Sequence, residues 1–278
     1  MTPGVTGATP LSASPFFPKV SVMYLRVSAL SLSALAVVGT TFMGGAHAQQ
    51  APKDGGRVGL VAIGGYEYQG SDETRTLVLP TLDYTWANGW FAGINGVGRQ
   101  WSTGALQYGL KLGVDMGREE GRSSALRGLG SVDASAELGG FARYALGQGF
   151  AAKTSLRAGS GVGNKGALWD LGLEYGQPLG ASWRLGSELS VTYANADYLQ
   201  SYFGVTAQQA QASGYAVYTP SAGPRDVSAR VALTYLISPQ WSLTGGLRHT
   251  QLLGDAKDAP MVRKSSANSA LLALNYAF

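Results

Sequence analysis

The chain of 278 residues has no cysteine, which removes disulfide frameworks, thiolate metal sites and thiol nucleophiles together. Charged residues make up 14% and the formal net charge is +4, with no run of five or more Lys or Arg, so no nucleic-acid partner is expected. Forty glycines with 14 tyrosines and 6 tryptophans suit short alternating strands and tight turns better than long helices.

Residues 1–22, with Pro3, Pro10, Pro15 and Pro18, resemble neither a signal nor a strand and are read as an extension from a start codon placed too early. From Met23, Arg26 supplies a positive n-region, Val27 to Met43 an apolar stretch, and Ala46-His47-Ala48 a small-x-small cleavage site. Residues 23–48 are therefore expected to be a cleaved signal peptide, and 49–56 (QQAPKDGG) a short periplasmic linker. An uncleaved anchor fits less well, because the segment ends in a cleavage site rather than a stop-transfer pattern. Beyond Ala48 no apolar run reaches the roughly 20 residues of a membrane helix, so a chain that enters a membrane must do so as strands.

Residues 57–278 alternate repeatedly. Leu106, Tyr108, Leu110, Leu112, Val114 and Met116 share one face, opposite Lys111 and Asp115. Trp169, Leu171, Leu173 and Tyr175 oppose Asp170 and Glu174; Trp183, Leu189 and Tyr193 oppose Arg184 and Glu188; Arg230 lies on the polar side of 227–237. Aromatics at both ends of the apolar face favour a lipid-facing surface, since Trp and Tyr occupy the two bilayer interfaces. The polar face then looks into a lumen carrying Lys111, Arg143, Lys153, Arg157, Arg184, Arg230 and Arg248 against Asp115, Glu137, Asp170, Glu174 and Glu188.

Strand segments fall near 57–68, 74–86, 90–101, 105–117, 132–145, 150–159, 166–176, 182–194, 226–237, 241–251 and 268–278. These are eleven, and single-chain bacterial barrels have even numbers, so a transmembrane antiparallel β-barrel of twelve strands is expected, with ten as the alternative. The missing strand is placed either in 202–219 or in a division of the Gly-rich 88–104 stretch. Short connections at 177–180 and 236–241 read as periplasmic. The long 195–224 and 252–264 read as extracellular, and 195–224 should fold over the barrel mouth with Tyr202 and Phe203 as its plug. The last strand puts Ala270, Leu272, Leu274, Tyr276 and Phe278 on the lipid face, and Tyr276 with Phe278 resembles the assembly signal of outer-membrane barrels.

Candidates for chemistry are weak. His249, the one histidine after signal removal, shares a face with Trp241, Leu243 and Leu247, the lipid side, where it could not serve a triad. Gly161 to Gly166 lacks the spacing of a phosphate loop and reads as a flexible tip. Asp255 and Asp258, separated by Lys257, lack the spacing of a calcium loop and read as a solvated turn. No catalytic, cofactor or metal residue is expected.

Several stretches resemble the MipA/OmpV family of outer-membrane proteins: Asn195-Ala196-Asp197-Tyr198 before Tyr202-Phe203-Gly204-Val205, Ser213-Gly214-Tyr215, and Leu252 to Val262 (LLGDAKDAPMV). Tyr68-Gln69-Gly70-Ser71-Asp72 and Leu126-Arg127-Gly128-Leu129-Gly130 are similar to its amino-terminal half. The resemblance implies an outer-membrane barrel in contact with lipid. It also implies, as for the family's namesake, a non-catalytic scaffold for a lytic transglycosylase and a penicillin-binding murein synthase. Other members resemble porins, osmoregulatory proteins or adhesins, so a passive channel or an adhesin is the alternative expectation.

Overall fold

The computed structural model describes Met1 and residues 53–278. The expected signal peptide, nearly all of the start extension and the first residues of the linker lie outside the described residues. Twelve strands form one closed antiparallel barrel: β1 (Gly55–Tyr66), β2 (Thr74–Thr85), β3 (Trp90–Gly93), β4 (Gly96–Thr103), β5 (Leu106–Asp115), β6 (Ser135–Gly147), β7 (Phe150–Ser160), β8 (Gly166–Leu179), β9 (Trp183–Ala194), β10 (Gly223–Leu236), β11 (Trp241–Leu252) and β12 (Ser266–Ala277). Each pairs with its neighbours in sequence, and β12 returns to β1 from Arg57↔Ala277 to Gly64↔Ala270. Beyond that ladder Gly56 and Phe278 exchange two backbone hydrogen bonds, of 2.9 and 3.0 Å. A Cβ at Gly56 would collide with the Phe278 ring, so the glycine gives that ring its seat beside Tyr84.

The alternation maps onto the two faces of the wall. Val78, Leu82, Leu110, Leu112, Leu138, Leu156, Leu189, Leu247 and Leu272 are exposed on the outside, as an apolar surface meeting lipid must be. Aromatic pairs bracket this surface across strands: Trp183 with Tyr235 and Trp241 with Tyr276 toward the short-turn end, Trp169 with Tyr193 toward the long-loop end.

The twelfth strand comes from the Gly-rich stretch. Residues 90–103 divide into β3 and β4 around a two-residue turn at Ile94 and Asn95, closed by Gly93↔Gly96. Gly96, at φ 108°, adopts a conformation open to glycine, and a Cβ there would strike the Leu112 carbonyl. The other expected location, 202–219, is not a strand. It holds α1 (Ala196–Phe203) and α2 (Ala207–Ser213), with only a single bridge between Val205 and Tyr218. A third short helix, α3 (Gly254–Lys257), lies in the last long loop. β1 begins at Gly55, inside the expected linker, and β5 ends at Asp115, so Met116, half-buried, lies beyond the strand.

Candidate functional site: a roofed, ion-paired lumen

Charged side chains from β6 to β10 meet on one inner wall. Arg143 Nε lies 2.8 Å from Glu174 Oε2, and Lys153 Nζ bridges Glu174 at 3.5 Å and Glu188 at 2.7 Å. Arg230 continues the chain at 3.2 Å from Glu188. A second group joins Arg157 to Glu137 at 3.6 Å and to Asp170 at 3.4 Å, while Ser155 and Thr192 hydroxyls donate to the Asp170 carboxylate. Gly172 stands opposite Lys153, and a Cβ there would lie 2.7 Å from Lys153 Cε, so the glycine clears the path of the lysine. Pairing between adjacent strands and across one intervening strand satisfies charges that have lost much of their hydration, the condition under which such groups can be kept inside a protein.

Above this wall the long loops close the mouth. Leu126 from the β5–β6 loop, Phe203 from α1 and Met261 from the β11–β12 loop belong to one core and are 0%, 1% and 1% exposed. Tyr68, from the β1–β2 loop, donates its hydroxyl to the Met261 carbonyl at 2.7 Å. Polar contacts then fasten the roof to the wall. Arg225 of β10 pairs with Asp226 at 2.6 Å and donates to the Tyr198 hydroxyl at 2.9 Å, and Arg118 Nη1 donates to the Tyr202 carbonyl at 2.8 Å. Burial pushes the hydroxyl of Tyr202 well above the usual tyrosine range, so it stays a donor.

The lumen-facing residues read from alternation divide into groups. Arg143, Lys153, Arg157, Asp170, Glu174, Glu188 and Arg230, with Glu137, are brought together in the two ion-paired clusters. Arg248 stands next to them and donates to the Ser228 hydroxyl. Asp115 belongs to the roof through Tyr202. Arg184 stands apart at the short-turn rim, donating to the carbonyls of its own turn at Gly180, Ala181 and Trp183. Lys111 makes no ion pair within 4.0 Å among the described residues.

Tyr202 and Phe203 sit in a helix and not in an irregular loop. The Gly161 to Gly166 tip is docked rather than flexible, since Val162 N donates to Ser201 Oγ of α1 at 3.0 Å. Asp255 braces the β9–β10 loop, accepting from Ser221 N at 2.7 Å, instead of standing in solvent. His249 is exposed on the outer surface with Nδ1 2.8 Å from Asn268 Oδ1. The roof residues Leu126, Met261, Arg118 and Arg225 were missed by sequence reasoning, which had no signal for contacts between separate loops. Among the described residues no group of three or more His, Cys, Asp or Glu could hold a metal ion.

A closed twelve-stranded barrel with an apolar outer band defines an outer-membrane β-barrel protein. Residues 58–278 match the family described as "MltA-interacting protein MipA", and the chain belongs to that family. It is 24% identical over 251 residues to the MltA-interacting proteins of Escherichia coli K12 and of Shigella flexneri, covering 90% of this chain and 99% of each relative. Among solved structures it is similar to the translocator domain of the Neisseria meningitidis autotransporter NalP, at 14% identity and TM-score 0.41 over 81% of this chain and 89% of that one. OprD of Pseudomonas aeruginosa is similar at 10% identity and TM-score 0.38 over 79% and 65%. The protein resides in the outer membrane.

Proposed function

We propose that the protein is a non-catalytic anchor in the outer membrane that holds murein enzymes at its periplasmic rim, and not an open porin. The observation that carries this reading is the roof: Leu126, Phe203 and Met261, from three different loops, meet in one buried core over the mouth. A general pore needs a wetted path through that point, whereas an anchor needs only a rigid barrel and an accessible inner rim. The rim consists of short turns, among them Ala181 and Pro239, both exposed. The name of the Escherichia coli relative supports a lytic transglycosylase as one partner. The family resemblance adds a penicillin-binding murein synthase.

Photocrosslinkers placed at Ala181 and Pro239 in growing cells test the proposal. A lytic transglycosylase should be captured from the rim and not from Val217 in the outer loops. Capture from neither rim position, in cells where the barrel is assembled, would sink the anchor reading in favour of a channel or an adhesin.

A further inference from the structure

The wall of the barrel is incomplete beside β2. That strand is paired to β1 along its whole length, from Gly55↔Thr85 to Tyr66↔Thr74. On its other side only Asp83, Tyr84 and Thr85 have ladder partners, because β3 is four residues long. The β3–β4 turn ends the hairpin, and β5 resumes the wall from Val97↔Leu112. Thr74 to Leu82 thus present a free sheet edge above a floor that climbs from the foot of β2 to the upper part of β5. Three strand spacings separate β2 from β5, about 14 Å.

The free edge lies at the depth of lipid chains, since Val78 and Leu82 are 62% and 61% exposed on the outer face. Pro80, between them, has no N–H to offer, and a proline inside a sheet belongs on an edge. Backbone groups at that depth cannot face hydrocarbon unpaired, so this edge needs a polar partner or water on its free side. A second copy cannot cover this edge. Two copies inserted in the same direction would bring their β2 strands together parallel and, each tilted by about 40°, steeply crossed. A soluble strand cannot reach the edge through the bilayer.

Inside the breach the lumen is apolar. The turn residue Ile94 packs with Leu79 and Leu271 against Val61, Ile63 and Ala273, far in character from the charged wall of β6 to β10. At the breach's other margin stands Lys111, whose register neighbours Gly98 and Gly139 have no side chains; it is partly buried, with the Arg157, Glu137 and Asp170 cluster as its charged neighbour on the other side. It lies two residues from the Gly113 level of the floor, about 7 Å along β5, and has no ion pair within 4.0 Å among the described residues. A cation without an ion pair on one margin, facing across the breach an apolar cluster on the other, is chemistry suited to one class of molecule.

We propose that the breach between β2 and β5 admits a single-chain anionic amphiphile from the membrane, its alkyl chain on the Leu79–Ile94 wall and its head group on Lys111. This site is independent of any periplasmic partner. The probe is pyrenyl-hexadecanoic acid, added to the full-length mature protein in nanodiscs of zwitterionic lipid, with energy transfer from tryptophan as the readout. Saturable transfer should appear, and Lys111→Gln should weaken it about tenfold, the loss expected for one charge-assisted contact. The corresponding pyrenyl alcohol should bind Lys111→Gln and the parent protein alike. Leu79→Asn should weaken both probes. Each variant is first checked for the heat-modifiable migration of a folded barrel, and two positions on different strands guard against a single folding failure. Transfer that never saturates, or that saturates equally in all folded variants, is annular lipid contact and overturns the proposal.

Discussion

The hydroxyl of Tyr202 donates to the carboxylate of Asp115 at 2.5 Å, joining residues 87 positions apart and fastening α1 to the outer end of β5. Removing that donor in Tyr202→Phe should loosen the roof by about 1.5–3 kcal/mol, the range for a hydrogen bond to a charged group. Phe203→Ala should loosen it more, by about 3–5 kcal/mol, because the ring is fully buried in the roof core. External protease acting on whole cells measures the order: the parent loop resists, Tyr202→Phe is cut faster and Phe203→Ala fastest. Equal cleavage of all three would mean the segment is an exposed flap.

Glu188 carries two cations, Lys153 at 2.7 Å and Arg230 at 3.2 Å. Glu188→Gln takes the nearest counter-charge from both and leaves Lys153 with Glu174 alone on a partly desolvated wall, and breaking a buried pair from one side costs about 3–5 kcal/mol. Arg184→Gln, at the rim, should stay within about 0.5 kcal/mol of the parent. Urea unfolding in lipid vesicles distinguishes the two, and comparable losses would contradict the network as drawn.

Alkaline pH should open the roof. Burial pushes the hydroxyls of Tyr68 and Tyr198 from the ordinary 10.0 up to about 12. The packed roof therefore favours their neutral forms, so the stability they contribute is complete below pH 10 and is lost as pH rises toward 12. Protease susceptibility of the loops, followed with tyrosinate absorbance, should rise in that window. In Tyr68→Phe the dependence should shrink; a roof that opens between neutral pH and 9 would need another cause.

Deleting Phe278 removes the two backbone hydrogen bonds to Gly56 and an aromatic anchor at the inner interface. The assembled fraction in cells, read by heat-modifiable migration, should fall while synthesis is unchanged. An undiminished fraction would show that β1–β12 pairing suffices for closure.

The barrel was legible because period-two alternation survives burial on one side only: Leu110 and Leu112 flank Lys111, and their opposite faces meet opposite solvents. Strand number was harder: the two-residue turn falls at Ile94 and Asn95, so the Asn95-Gly96 pair marks the hairpin one residue out of register. Helix α1 also left traces that alternation-based reading passed over. Asn195 caps it, and Tyr198, Leu199, Tyr202 and Phe203 repeat at helical spacing. Thr206 with Gln209 forms the capping box of α2. The ion pairs could not be read, because which carboxylate faces Lys153 depends on strand register, and the roof depends on loops far apart in sequence packing together.

Single-channel recording across planar bilayers tests the closed-anchor account most directly. The parent protein should insert without stepwise conductance, and Tyr202→Ser combined with Phe203→Ser should produce steps, which also proves insertion. Reproducible conductance by the parent, with ion selectivity that changes in Glu188→Gln, would contradict the account and make the protein a channel.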